Sequence, residues 1–173
     1  MKKFLLPVLI ICFGLQSCAQ KMTDLSQLNF SEPAAQVLKS VPDARKGMLY
    51  DQPNMLSYGI ENGKGTLNFS GYKPEHVELL TFDDKIAGYG FKIMNFEEQQ
   101  KIETYLRKHY NKIQLSDSSQ WGKAYTYTDS KATIDFRTVA AADFEKQRNG
   151  YLSIKSIALQ QAIDQQEKKY KRK

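Results

Sequence analysis

The chain has 173 residues, 41% of them apolar and 25% charged, with ten tyrosines, one tryptophan and a formal net charge of +6. That length suits one domain with a true core and is short for two. The charge is unevenly placed: Lys2 and Lys3 open the chain and residues 164–173 carry a local +3, so the remaining body is about +1, which argues against a nucleic-acid-binding face made by the fold.

In chain order, Lys2 and Lys3 precede Phe4–Leu15, a run of twelve residues without a charge. As a helix at about 1.5 Å per residue it would cover about 18 Å, too little for a hydrocarbon core of about 30 Å, so it reads as a secretory signal rather than a span. The four residues that close it, Leu15-Gln16-Ser17-Cys18, resemble the lipobox of bacterial lipoproteins, with Gln16 where a smaller residue is usual. The resemblance implies a diacylglycerol on the Cys18 thiol, cleavage before it and acylation of the new amino group. It divides the chain into a signal peptide (1–17), a lipidated N-terminus and tether (18–30), one α+β domain (31–159) and a polar basic tail (160–173). Cys12 would leave with the signal, so Cys18 would have no partner for an internal disulfide.

Ser31 and Pro33 cap a short helix over 31–41, stopped near Pro42, with Ala34, Val37, Leu38 and Val41 on one face. Met48–Tyr50 is a possible strand. Leu56–Ile60 and Thr66–Ser70 alternate on either side of Asn62-Gly63, the strongest local hairpin signal in the chain. Val77–Phe82 and Ile86–Met94 flank Asp83-Asp84-Lys85 as a second hairpin, in which Gly88 and Gly90 mark a bulge or a close approach. Asn95 caps a helix over about 95–110, with Glu97 and Glu98 at its start, basic residues at its end and an apolar stripe of Phe96, Ile102, Tyr105, Leu106 and Tyr110. Extended chain then returns in 112–115, 121–128, 132–137 and 152–157, and 160–173 is helix-permissive with little to bury. The fold class expected is α+β, a mostly antiparallel sheet packed against one main helix. The two halves share no evident identity, so internal duplication is not expected.

Chemistry-bearing clusters are few. His76 and His109 are 33 residues apart with no His or Cys at metal-ligand spacing, so no metal or cofactor is expected. His76, beside Glu75 and Glu78, is better placed as a rim residue than as a general base, and His109 as a dipole-complementing side chain. Asp83 and Asp84 read as a turn rather than a Ca²⁺ site, and Asp129, Asp135 and Asp143 lack EF-hand spacing. No nucleophile elbow, Ser-x-x-Lys or phosphate loop is present. Trp121, Tyr125 and Tyr127 share one parity and form either core or an exposed binding row, with core placement favoured.

The function expected is a membrane-anchored envelope lipoprotein with a non-catalytic binding or accessory domain. Its partners would be the membrane, through the anchor, and an envelope protein or polymer, not nucleic acid. It would sit lipid-anchored in the cell envelope, periplasmic or surface-facing. The alternatives are an inhibitor or immunity-type protein, acting through a loop or strand edge, and an unfamiliar hydrolase.

Overall fold

The computed structural model describes residues 22–41 and 43–171. The signal segment, the lipidation expected at Cys18 and the helix stop at Pro42 lie outside them. Among the described residues the chain is an α+β fold built on an eight-stranded antiparallel sheet. The long strands are β2 (Arg45–Leu49), β3 (Gln52–Glu61), β5 (His76–Phe82), β6 (Lys85–Ile93), β7 (Gln114–Ser119), β8 (Gly122–Thr128), β9 (Ala132–Thr138) and β10 (Gly150–Ser156). They lie in the order β2-β3-β5-β6-β10-β9-β8-β7. Two four-stranded meanders therefore meet where β6 pairs with β10, and each is followed by a helix of 14 residues, α2 (Phe96–His109) and α4 (Ile157–Tyr170). The repeated element order is a topological echo only, because α2 and α4 bury their apolar residues on opposite faces of the sheet.

The main core lies on one face. Leu79, Tyr89, Ile154 and Ile134 stand in one row of cross-strand partners, and Val77, Phe91, Leu152 and Phe136 in the next. Over the second meander α2 contributes Ile102 and Leu106. The first meander is covered by the N-terminal segment, with Leu25, α1 (Ala34–Leu38) and Val41, and by Leu67, Phe69 and Tyr72 from the β3–β5 connection. Phe69 is the centre of this lid, with ring centroids 5.5 Å from Phe91 and 5.1 Å from Tyr105. The helix expected over about 95–110 starts as its cap requires: the Asn95 side chain accepts from the Glu98 amide at 2.9 Å. Glu98 pairs with Lys101 and Glu103 with Arg107, each at 2.7 Å.

Three boundaries differ from expectation. The tether (18–30) is docked from Thr23 onward: β1 (Thr23–Asp24) pairs in parallel with β4 (Leu67–Asn68), and Leu25 is buried in the core. Asn62-Gly63 does not close a hairpin, for β3 pairs with β2 and β5 instead. Asn62 is buried, and its side chain donates to the carbonyls of Leu67 (2.7 Å) and Pro74 (2.8 Å) and accepts from the Leu67 amide (3.0 Å), so it cross-braces a long connection. The basic tail is α4 as far as Tyr170, because the few apolar residues it has fall together. Leu159, Ala162 and Ile163 pack against Met55, Leu80 and Ala87, with Leu49, Tyr50 and Phe82 at the edge of the cluster. The second hairpin forms as expected, with Asp83 and Asp84 both in the left-handed region of its turn.

Candidate functional site

Because successive side chains alternate across a sheet, the core-facing rows leave the intervening residues on the other face. Cross-strand register places Arg45, Gly59, Glu78, Gly90, Ser153, Asp135, Thr126 and Gln114 in one line across all eight strands. Strand spacing makes that line about 34 Å long. Every member is polar, charged or glycine. α4 packs on the same face over Met55, Leu80 and Ala87 and touches β5, β6, β9 and β10. Along the line Gly90 and Ser153 are buried at the middle, whereas Arg45 at one end and Thr126 and Gln114 at the other are exposed. Gly90 leaves room for the Tyr151 ring, whose hydroxyl occupies the place a β-carbon would take. Tyr151 thereby divides the open face in two. Burial, with Glu78 adding to it, pushes the Tyr151 phenol above its ordinary value, so it stands there as a neutral group.

On the first-meander side, Glu61 and His76 face each other across β3 and β5 at 3.4 Å, both well exposed. This is an exposed cross-strand pair and not a cleft joining a histidine to several carboxylates. His109 lies elsewhere, stacked on Tyr105 with ring centroids 4.0 Å apart and Nδ1 2.9 Å from the Tyr105 carbonyl.

On the second-meander side the face dips into a hollow of about 550 Å³, walled in part by Ser116, Asp117, Trp121, Asp135, Arg137 and Asn149. A second hollow of about 430 Å³ shares Thr126 and Asp135 with it and runs to Lys155, Gln160 and Asp164 beside α4. The aromatic row expected from Trp121, Tyr125 and Tyr127 is not a row. Tyr125 is 7% exposed, stacks on Phe136 at 6.0 Å between centroids, and has the Arg107 guanidinium 5.0 Å above its ring. Tyr127 is half-buried on the same core face against Tyr110 and donates to Asp129 at 2.9 Å. Trp121 is 52% exposed and walls the hollow with open-face residues Ala124 and Thr126. Gly122 causes the divergence. Its φ of +148° and its close passage by the Thr138 carbonyl, which leaves no space for a β-carbon, break the two-residue alternation between Trp121 and Tyr125.

Trp121 is held from one side. The Arg148 guanidinium lies over its ring, 3.8 Å from the centroid, a cation–π contact. Arg148 is in turn fixed by Asp143, a buried carboxylate on α3 (Ala141–Phe144), at 3.2 Å; Lys146 adds a longer contact at 3.7 Å. The preceding segment is pinned by buried Gln99 of α2, which accepts from the Val139 amide and donates to its carbonyl, both at 2.9 Å. Arg137 and Asp135 pair at 3.3 Å on the floor of the hollow. The Asp143–Arg148–Trp121 chain had no signal in the sequence, since it joins a loop to a strand start with no fixed spacing. Ile134 and Phe136 alternate with Asp135 and Arg137 along β9, and the structure buries the first two and turns the two charges to the other face.

Among the described residues, no three His, Cys, Asp or Glu side chains stand together as a metal site, and no helix is long and apolar enough to cross a membrane. Compared with protein-family models, curated proteins and solved structures, the chain matches none.

Proposed function

We propose that this protein is a non-catalytic binding domain held at a cell-envelope membrane by lipid on Cys18, and that it binds through the open polar face of its sheet. The observation that carries the reading is the polar line from Arg45 to Gln114, whose second-meander end is exposed at Thr126 and Gln114 beside an exposed, braced tryptophan. A sheet face that only had to be soluble would not need an indole held by an arginine that is itself fixed by a buried carboxylate. The tether follows from the lipobox-like Leu15–Cys18: fatty chains on Cys18 would concentrate the domain at a surface and raise its encounter rate with envelope components. Detergent phase partitioning of the wild-type and Cys18→Ala proteins tests the tether, which requires partitioning to be lost in the variant.

A photoreactive amino acid placed in intact cells at Thr126, on the open face, and at Lys101, on the exposed side of α2, tests the face. Specific adducts from position 126 in excess of those from position 101 are expected. Equal yields, or adducts from position 101 alone, would overturn the assignment. A strand-edge inhibitor is a second reading, supported by β7, whose six residues are all exposed at the end of the sheet. It requires adducts from position 118, on β7 but outside the hollow, to dominate.

A further inference from the structure

We infer that the hollow beside Trp121 is a saccharide subsite, which stacks one pyranose ring of a neutral glycan on the free face of the indole. This rests on the reading of the open sheet face as the binding face.

The arrangement of Trp121 comes first. An exposed indole ordinarily samples several rotamers, and ordering it on binding costs affinity. Here one ring face is occupied by Arg148, which does not wall the hollow, and the indole itself does wall it. The face opposite the guanidinium is thus the one left to a ligand. Asp143, buried beneath Arg148, keeps the guanidinium in place, so the platform is ordered before anything binds.

The chemistry of the walls comes second. Asp117 and Asp135 are balanced by Lys123 and Arg137, so the hollow presents no net field for a phosphate, an acidic peptide or a polycation. Nor does it offer an enclosed apolar recess for a peptide side chain, because the apolar residues of these strands are on the opposite face. What it offers is one flat aromatic surface ringed by carboxylate, guanidinium, amide and hydroxyl groups. A pyranose has the complementary form, with C–H groups on its ring faces and hydroxyls around its rim that both donate and accept. The adjoining hollow, which shares Thr126 and Asp135 and is lined by Thr128, Thr133 and Gln160, offers polar groups to further sugar units.

The test uses the full chain in detergent micelles. Trp121 is the only tryptophan in the sequence, so indole emission reports this site alone. Neutral oligomers of β-1,4-glucose, β-1,4-N-acetylglucosamine, α-1,4-glucose and α-mannose are titrated to about 10 mM, a range that captures weak single-platform binding. At least one should shift or quench the emission saturably. Its affinity should fall more than about tenfold in Arg148→Ala. Asp143→Asn should fall less, with circular dichroism unchanged in both. Calorimetry on Trp121→Ala gives the same comparison without the reporter. No saturable change with any of the sugars, or undiminished affinity in both Arg148→Ala and Trp121→Ala, overturns the subsite. If the sugars fail while position 126 still yields specific adducts, only the saccharide assignment falls; if position 126 also yields none above position 101, the binding face falls with it.

Discussion

The same eight strands present two opposed chemistries. On the core face the line Ile60, Val77, Phe91, Leu152, Phe136 and Tyr125 is aliphatic and aromatic throughout, and each of its members is buried. One residue along each strand, the line from Arg45 to Gln114 holds two glycines, three charged and three neutral polar residues. Backbone pairing is common to both, so the fold draws its specificity from one face and leaves the other free to vary. The open face is nevertheless not uniform. Its apolar corner is closed by α4, and its far end carries a tryptophan held by an ion pair. Between those two places Tyr151, seated over Gly90, and the buried Ser153 fill the middle of the face.

Substitutions on matched positions should separate the faces most sharply. Phe136→Ala, on the core side of β9, should cost about 3–5 kcal/mol. Thr126→Ala, on the open side of its neighbour, should stay within about 0.5 kcal/mol. Urea unfolding of the two proteins reads the difference directly, and comparable losses would break the comparison.

The next effect concerns the exception on the open face. Leu159 is fully buried beneath α4 against Met55, Leu80 and Ala87. Leu159→Ala should cost about 2–4 kcal/mol and release the last helix, seen as faster amide exchange over 157–170 than over 96–109. A loss below about 0.5 kcal/mol would mean that α4 only rests on the sheet.

Asn95→Ala removes the cap of α2, on the core side, and should cost about 1 kcal/mol by urea titration. At neutral pH the smallest effect is that of the buried phenol of Tyr89, which burial pushes well above its ordinary value of 10.0. Above pH 10 the unfolded chain releases this proton and the folded chain keeps it. Stability from this group is therefore full below pH 10 and is lost as pH rises through the folded value. Tyr89→Phe should flatten that alkaline decline in a denaturant series, leaving the behaviour below pH 9 close to wild type.

Much of the core face was legible from alternation alone. Ile134 and Phe136 against Asp135 and Arg137, and the hairpin around Asp83-Asp84, follow from side-chain period and turn chemistry. So does α2, whose cap, terminal charges and apolar stripe agree with one another. Three features were not legible, each because a distant contact outweighed the local pattern. Asn62-Gly63 carries a hairpin signature, yet the Asn62 side chain is committed to Leu67 and Pro74. Residues 160–170 have low apolar content, yet Leu159, Ala162 and Ile163 meet on one side of a helix. Trp121 has the parity of Tyr125, yet Gly122 breaks the alternation where it passes the Thr138 carbonyl. The brace from Asp143 through Arg148 to Trp121 exists only in three dimensions.

The proposed binding surface is the open face at its second-meander end. Amide chemical-shift mapping of the isotopically labelled full chain against a solubilised envelope polymer fraction tests it most directly. Shifts should be confined to Trp121, Thr126, Asp135, Arg137 and their neighbours, with the exposed side of α2 at Gln100, Lys101 and Thr104 unmoved. Shifts gathered on that side of α2, or none anywhere at saturating polymer, would contradict it.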